Sequence, residues 1–247
     1  LAVRPFSFRS ASRARCGATV VSIFVNPSQF GPGEAFDRYP RDLAGDLAML
    51  GSRNVDLVFA PSAEEMYPAG FQTHVEVEQA TLPWEGSHRP GHFRGVATVV
   101  AKLFNQVQPD VAFFGQKDYQ QTVVIRQMVR DLAMPLEIEV CPTVREHDGL
   151  ALSSRNAYLS DEQRQQALAI SASLRDAADR VAAGDQSAAA LIERIQQRLE
   201  QAPELTPQYV AIVDPDRLAA VEHISRPVMV LVAAFVGKTR VIDNWRL

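Results

Sequence analysis

The stretch VAFFGQKDYQQ, Val111–Gln121, predicts the fold of this chain. Its first four residues have the length and apolar composition of a buried strand end, Gly115 interrupts them, and a helical pattern begins near Tyr119. Lys117 and Asp118 lie in the turn between strand and helix. Because ligands of open α/β sheets bind beyond the carboxyl ends of the strands, such a turn can offer a phosphate group a cation and backbone N–H groups. A purely structural turn has the same composition, so the functional interpretation needs support from the rest of the chain.

Strands and helices alternate up to about residue 142. Apolar or alternating runs predict strands at 20–25, 55–60, 73–77, 111–114 and 136–140, and helical spacing predicts helices at 42–50, 96–106 and 119–133. Asn26-Pro27 ends the first strand, and Gly31-Pro32-Gly33 predicts a loop. The segment 62–66 predicts a short helix or turn. This alternation is typical of a parallel sheet with helices on both faces.

The alternation of strands and helices ends near Thr143. A long helix is predicted over 160–183, with a capping box of Ser160 and Gln163 and a stop at Gly184, and Asp185 is predicted to cap a second helix that ends near Pro203. Strands are predicted at 209–213, 227–236 and 239–243, the last two joined by a hairpin turn at Gly237-Lys238. We therefore expect an α/β chain with a parallel-sheet domain over 1–143 and a smaller α+β domain with an antiparallel sheet over 144–247.

Composition excludes several classes of function. The 247 residues are 47% hydrophobic and 22% charged with a formal net charge of -4, and the basic residues are scattered, so we expect no nucleic acid partner. Cys16 and Cys141 have no CxxC spacing, which favours a reducing, cytoplasmic environment. No apolar run reaches the roughly 18–20 residues of a membrane span, so no membrane partner is expected.

Three polar clusters follow predicted strands. They are Asn26, Gln29, Tyr39 and Arg41; Gly115, Lys117, Asp118 and Gln121; and Ser153, Ser154, Arg155 and Asn156. Each alone can be explained as turn or capping chemistry. Together they indicate nucleotide chemistry, because Ser-Ser-Arg and a lysine supply the donors and charges that stabilise phosphate, while neutral amides suit a small hydroxylated acid.

Two histidines and several missing motifs further limit the classes of function that the sequence supports. His88 and His92 stand four residues apart, but Pro90-Gly91 between them argues against a helical metal pair, and a role in a binding loop or in structure is preferred. The sequence contains no GxSxG, Walker A or GxGxxG motif. Hydrolase, P-loop and dinucleotide-binding interpretations therefore lack their usual support.

Four runs of sequence resemble one family. They are FVNPSQF (24–30), YPRDLAGDLAML (39–50), RPGHFRGVATVVAKLFNQVQPDVAFFGQKDYQQ (89–121) and PTVREHDGLALSSRNAYLS (142–160), and they closely resemble the pantothenate synthetases, or pantoate–β-alanine ligases. The resemblance extends from about Val20 to the C-terminus. It implies a Rossmann-like nucleotidyltransferase domain of the HUP type, a smaller C-terminal domain and a cytoplasmic homodimer.

The family resemblance also implies a two-step reaction. Pantoate attacks the α-phosphate of ATP with Mg²⁺ to form pantoyl adenylate and pyrophosphate, and β-alanine then attacks the adenylate to form pantothenate and AMP. By this resemblance Gln29 and Gln121 bind pantoate, with Gln29 also near β-alanine and Asn26 in support. The residues expected to contact ATP are Gly115, Gln116, Lys117, Asp118, Val144, Leu152, Ser153, Ser154 and Arg155. Gln116 stands where the family usually has Glu, and the metal ligands are not assigned.

The N-terminus departs from the family pattern. Family members carry a first strand, a Pro-Thr-Met-Gly segment and a His-x-Gly-His motif, whereas LAVRPFSFRS (1–10) does not match. Counted back from Asn26 without gaps, the two histidines would fall near Leu1 and Arg4, which do not match, so we assign no catalytic histidine. The first strand would lie before residue 1, and we hypothesise a truncated gene model or a frame error near its start. Three interpretations follow: a ligase, an impaired remnant that only binds ligand or dimerises, or an adenylyltransferase with another substrate, against which the pair Gln29 and Gln121 argues.

Overall fold

The computed structural model describes residues 15–31, Tyr39 and residues 41–247. The chain divides into two structural units. The first comprises the chain up to Gly115 together with Val124–Cys141, and the second comprises Gln116–Val123 and Pro142–Leu247. Pro32-Gly33 of the predicted loop and the deviant segment 1–10 lie outside the described residues.

The first unit is built from short parallel strands and helices. Its elements are β1 (Val20–Ser22), α1 (Leu43–Gly51), β2 (Leu57–Phe59), α2 (Ala63–Met66), α3 (Glu85–His88), α4 (His92–Val107), β3 (Val111–Gly115) and β4 (Glu137–Cys141), with α5 (Tyr119–Asp131) beginning in the second unit and ending in the first. β1 pairs with β2 and β3 pairs with β4, both in parallel. The predicted parallel pairing is confirmed, and among the described residues it forms two two-stranded sheets.

The strand predicted at 73–77 is wrong. Its alternating pattern is typical of a half-buried strand, but the segment has no regular secondary structure and no partner strand among the described residues. The backbone N–H of Val75 instead donates to Oγ1 of Thr98 in α4 at 3.0 Å, and Val77 is buried in the core of this unit. A segment outside regular secondary structure still needs its backbone groups satisfied, and here a helix side chain meets part of that need.

Helix α4 forms the centre of the first core. Val96 and Ala97 have no exposed surface, and they pack with Phe104 of the same helix and with the apolar face of α5. The helix begins after Gly91, whose positive φ of 79° separates α3 from α4. His88 and His92 therefore lie on different helices, as expected from Pro90-Gly91 between them.

The second unit has the predicted α+β architecture. Its elements are α6 (Asp161–Ala182), α7 (Ala188–Glu200), β5 (Leu205–Val213), β6 (Met229–Val236) and β7 (Thr239–Arg246), and the strands form an antiparallel sheet in the order β5-β6-β7. Both long helices pack their apolar faces against this sheet, and Leu174, Leu199, Val230 and Ala234 are completely buried. No helix in the described part of the chain is both long and apolar enough to cross a membrane.

Of the caps and turns predicted for the second unit, some are confirmed and one is wrong. The capping box of Ser160 and Gln163 is present, and Gly237 adopts a positive φ of 55° in the β6–β7 hairpin. The cap predicted at Asp185 is wrong, because Oγ of Ser187 caps α7 by accepting from the N–H of Ala190 at 3.3 Å. Asp185 lies before the helix and forms an ion pair with Arg180 at 3.3 Å.

Candidate functional site

Asn26 lies at the centre of a hydrogen-bond network in the first unit. The side chain is 3% exposed, and its Oδ1 accepts from the N–H and the hydroxyl of Ser28 at 3.2 and 2.8 Å. Its Nδ2 donates to the carbonyl of Gly95 at 3.1 Å. Asn26 thereby caps the short 3-10 helix Pro27–Gln29 and ties it to α4. The supporting role in substrate binding that the family resemblance implies for Asn26 stays a prediction.

The backbone carbonyl of Gln29 is held by His92 and Arg89. Nδ1 of His92 donates to this carbonyl at 2.9 Å, and a guanidinium nitrogen of Arg89 reaches the same oxygen at 3.3 Å. Arg89 also donates to Nε2 of His92 at 3.0 Å, so the imidazole carries its proton on Nδ1. These contacts give His92 a structural role in holding the segment that carries Gln29, one of the two roles preferred from the sequence.

Gly95 allows the amide loop, residues 26–30, and α4 to approach closely. A Cβ atom at this position would lie 2.3 Å from the carbonyl oxygen of Ser28, well inside contact distance. Tyr39, also in the first predicted cluster, packs its ring edge-on against Phe30 with 5.9 Å between ring centroids. The amide loop is thus placed by packing against α4 and by aromatic contacts.

Tyr67 is a functional candidate that the sequence did not indicate. Its hydroxyl donates to Oδ1 of Asn26 at 2.9 Å and lies 3.2 Å from Oγ of Ser28. Burial raises the pKa of Tyr67 and outweighs its hydrogen bonds with Ser28 and Asn26, which lower it. The hydroxyl therefore stays protonated near neutral pH. Tyr67 lies at the end of α2, 41 residues from Asn26, and no sequence motif links the two residues.

Lys117 lies in the second unit, in the 3-10 turn Gln116–Asp118 that precedes α5. Its side chain is 18% exposed and its Nζ lies 3.9 Å from the Asp118 carboxylate. Asn244 of β7 donates from Nδ2 to the carbonyls of Gln116 and Lys117, both at 2.9 Å. Gln121 is half-buried in the first turn of α5, four residues after Lys117.

Val144 and Leu152 are paired across a tight hairpin of the second unit. The N–H of Leu152 donates to the carbonyl of Val144 at 2.9 Å, and Arg145 and Ala151 form an antiparallel bridge. Gly149 closes the turn with a positive φ of 96°. Two residues that the family resemblance assigns to ATP are therefore neighbours in space.

A charged network stabilises this hairpin. Arg164 of α6 forms ion pairs with Glu146 at 2.9 Å and Asp148 at 2.7 Å, and Asn156 donates to Glu146 at 2.7 Å. Burial raises the pKa of Glu146, but hydrogen bonds from Asn156 and Arg164 outweigh it, so the pKa lies below the usual range. Burial likewise raises the pKa of Asp148, and the Leu150 N–H with Arg164 reverses that effect. Both carboxylates therefore remain charged at neutral pH.

A second ion pair joins this hairpin to β7. Arg145 binds Asp243 with two guanidinium nitrogens at 2.7 and 3.0 Å, and its guanidinium carbon lies 4.8 Å from the ring centroid of Trp245. Asp243 is 5% exposed. Its negative charge is therefore neutralised by Arg145 rather than directed at a ligand.

An open cleft in the second unit brings the predicted phosphate-binding residues together. Its polar lining includes Lys117, Ser153 and Arg155, with Arg240 as a third cation, and its apolar lining includes Leu150 and neighbouring side chains of α6 and β7. Ser153 caps the 3-10 helix Ser154–Tyr158 through the Arg155 N–H at 3.3 Å. Three cations around one opening favour an anionic ligand. Arg240 was not predicted, because a single arginine in a strand gives no motif.

The described residues contain no group of three or more His, Cys, Asp or Glu side chains arranged to hold a metal ion. One carboxylate, that of Asp118, lies 3.9 Å from Nζ of Lys117. Mg²⁺ commonly binds through one or two carboxylates and the phosphates of its nucleotide.

The parallel α/β architecture of the first unit and the cation-lined cleft of the second indicate an enzyme that binds a phosphate-bearing ligand. A family model described as pantoate-beta-alanine ligase matches residues 6–246. The chain belongs to the pantoate-beta-alanine ligase family. The match begins at residue 6, earlier than the start near Val20 that the motifs predicted.

Curated relatives carry a consistent name. Pantothenate synthetase 1 of Bradyrhizobium diazoefficiens is 57% identical over 95% of this chain and 83% of its own length. Pantothenate synthetase of Moorella thermoacetica is 53% identical over 96% of this chain and 84% of its own length. These matches confirm the predicted family and support a ligase rather than an impaired remnant.

Solved structures confirm the fold. Pantothenate synthetase from Thermus thermophilus has a TM-score of 0.94 at 48% identity, covering 97% of this chain and 87% of that one. Pantoate-beta-alanine ligase from Francisella tularensis, complexed with beta-gamma ATP and beta-alanine, has a TM-score of 0.81 at 32% identity, covering 99% and 85%. The predicted Rossmann-like nucleotidyltransferase class is therefore correct.

Proposed function

We propose that this protein condenses pantoate with β-alanine at the expense of ATP. A pantoate carboxylate oxygen attacks the α-phosphorus of ATP, and pyrophosphate leaves with the electrons of the broken P–O bond. The amine of β-alanine then attacks the acyl carbon of pantoyl adenylate, loses a proton, and AMP leaves. The observation that carries the proposal is the grouping of Lys117, Ser153 and Arg155 around one cleft in a member of this ligase family.

The cleft of the second unit is proposed to bind the phosphates of ATP. Lys117 and Arg155 supply positive charge, and the hydroxyls of Ser153 and Ser154 supply donors to the oxygens that gain charge as pyrophosphate leaves. The paired backbone of Val144 and Leu152 is proposed to contact the nucleotide as well. Gly115, Gln116 and Asp118 complete the proposed ATP contacts, and Mg²⁺ is proposed to bind with the phosphates.

The neutral amides are proposed to bind the organic acids. Gln29 and Gln121 are assigned to pantoate, because an amide can bond a hydroxyl or carboxylate without introducing a competing charge. Gln29 is also assigned to β-alanine. Asn26 is proposed to support Gln29 through the hydrogen bonds that cap the 3-10 helix Pro27–Gln29.

The remaining expectations about organisation are also proposals. We propose two domains, 1–143 and 144–247, a homodimer and a cytoplasmic location. Light scattering of the purified chain measures the dimer, with a single monomeric mass as the contradicting result. Limited proteolysis that releases two fragments cut near residue 143 would support the domain boundary.

One assay tests the reaction itself. The purified chain is incubated with ATP, Mg²⁺, pantoate and β-alanine, and AMP, pyrophosphate and pantothenate are measured. AMP and pantothenate are expected in equal amounts, and only when both acids are present. In a single turnover without β-alanine, pyrophosphate and an acid-labile adenylate are expected. Turnover with another hydroxy acid but not with pantoate would contradict the proposal in favour of a different adenylyltransferase.

A further inference from the structure

The side-chain amide of Asn244 bonds the turn that carries Lys117 through both its nitrogen and its oxygen. Nδ2 donates to the carbonyls of Gln116 and Lys117, both at 2.9 Å, and Oδ1 accepts from Nε2 of Gln116 at 3.2 Å. The side chain is 2% exposed. Both donors of the amide are therefore directed at consecutive backbone carbonyls of one turn.

Asn244 itself is rigidly held. It lies inside β7, and its N–H donates to Oδ1 of Asp243 at 2.8 Å. Asp243 is in turn bound by two nitrogens of Arg145, which stacks on Trp245. A buried ion pair and a strand backbone thus fix the amide that contacts the turn.

The turn needs such support because the other contact described for Lys117 is weak. Its Nζ lies 3.9 Å from the carboxylate of Asp118, and both side chains are partly exposed. An ion pair of this kind holds a long side chain loosely. The direction in which Lys117 leaves the backbone is therefore set by the 3-10 turn, whose two carbonyls Asn244 holds.

We propose that Asn244 is a positioning residue that directs the ammonium of Lys117 into the cleft for the ATP phosphates. The proposal rests on the proposed function for its ligand, and it concerns a residue on another strand, 127 positions away from Lys117. Small displacements of a charged group cost much of its contribution to binding and rate.

A double-mutant cycle tests this coupling. Calorimetry measures ATP affinity in wild type, Asn244→Ala, Lys117→Ala and the double variant. Asn244→Ala is expected to weaken ATP about tenfold, an amount equivalent to one well-placed polar contact. In the Lys117→Ala background the same substitution is expected to have little effect. Additive losses would overturn the proposal, because a general structural role does not depend on Lys117.

One further variant controls for a general effect on folding, and another tests the two donated hydrogen bonds. Ser173→Ala removes another buried polar group of the second unit, whose hydroxyl donates to the carbonyl of Ile170 at 2.8 Å, and it is expected to leave ATP affinity unchanged. Asn244→Asp keeps the side-chain volume but cannot donate to the two carbonyls when ionised. It is expected to weaken ATP at least as much as Asn244→Ala, and wild-type affinity in a folded Asn244→Asp protein would overturn the proposal.

A readout without ATP separates this inference from the proposed function. The chain has three lysines, Lys102, Lys117 and Lys238, so reductive methylation with ¹³C gives few dimethyl-lysine signals for NMR. Asn244→Ala is expected to move the Lys117 signal and leave that of Lys102 in place. An unchanged Lys117 signal would overturn the positioning role. Absence of ATP binding in wild type, with a shifted Lys117 signal in the variant, would instead contradict the proposed function alone.

Discussion

The hydroxyl of Tyr67 donates to Oδ1 of Asn26 at 2.9 Å, which joins the end of α2 to the cap of the 3-10 helix that carries Gln29. Oδ1 of Asn26 also accepts from Ser28, so one buried oxygen organises three groups. Buried polar networks of this kind hold a loop in one conformation when every member is satisfied. The position of Gln29, which is proposed to bind pantoate, therefore depends on hydrogen bonds among Asn26, Ser28 and Tyr67.

Tyr67→Phe is expected to weaken pantoate binding more than ATP binding. Loss of one hydrogen bond to a buried acceptor costs about 1 kcal/mol of unfolding free energy, since Ser28 still satisfies Asn26. We expect the KM for pantoate to rise several-fold and the KM for ATP to stay constant. Steady-state kinetics and urea unfolding measure both quantities. In an Asn26→Ala background Tyr67→Phe should add little, and a full additional loss would refute the link.

Gly95→Ala is expected to displace the amide loop from α4. The new Cβ would lie 2.3 Å from the carbonyl oxygen of Ser28, which is backbone and cannot rotate away. Overpacking of this kind costs about 1–3 kcal/mol of unfolding free energy. Gly51→Ala is the matched control, because a Cβ atom there would meet nothing beyond its own helix within 4 Å and alanine favours helix. Equal stability of the two variants in urea would show that the close approach is unimportant.

Asp243→Asn is expected to destabilise the second unit. The substitution leaves the guanidinium of Arg145, only 18% exposed, without its ionic partner. Breaking a buried pair in this way costs about 3–5 kcal/mol. Asp176→Asn serves as the control, because its ion pair with Arg194 at 2.6 Å is much more exposed and should contribute about 1 kcal/mol or less. Unfolding free energies of the two variants are compared, and similar small losses would contradict the prediction.

Acid is expected to weaken the hairpin that carries Val144 and Leu152. The folded-state pKa values of Glu146 and Asp148 lie below their usual range, so the unfolded chain binds protons first as pH falls. Their stabilisation is present above the unfolded pKa values of about 4 and disappears as pH falls through the folded ones. Arg164→Gln should flatten this dependence, with a loss of about 1 kcal/mol at pH 7. Urea unfolding of both proteins between pH 7 and pH 3 measures it, and parallel curves would argue against Arg164.

Lys117→Ala is expected to lower the rate of AMP formation about a hundredfold or more, because it removes the charge that we propose stabilises the leaving pyrophosphate. Lys238→Ala removes a lysine of the exposed β6–β7 hairpin turn and should leave the rate unchanged. Rapid-quench measurement of pyrophosphate separates the adenylation step from later steps. Similar rates for the two variants would exclude Lys117 from that step.

Local chemistry predicted several elements correctly. The capping box of Ser160 and Gln163 and the hairpin at Gly237 depend on neighbours within a few residues, so their signals are complete in the sequence. The predictions of a strand at 73–77 and of a cap at Asp185 were wrong, although the residue types suit a strand and a cap. Val75 finds a helix side chain instead of a neighbouring strand, and Ser187 rather than Asp185 accepts from the first turn of α7. A strand needs a neighbouring strand, and a cap needs the correct N–H group within reach.

The sequence by itself determined the strand, turn and helix around Lys117, the Ser-Ser-Arg segment and the family to which they belong. These features are contiguous, and each carries its own chemical signature. Only the tertiary structure decided that Arg240 joins Lys117 at the cleft, that Tyr67 supports Asn26, and that Asn244 holds the lysine turn. Hydrogen bonds between residues 41 and 127 positions apart exist only after the chain has folded, because no local pattern specifies which distant group will arrive within about 3 Å.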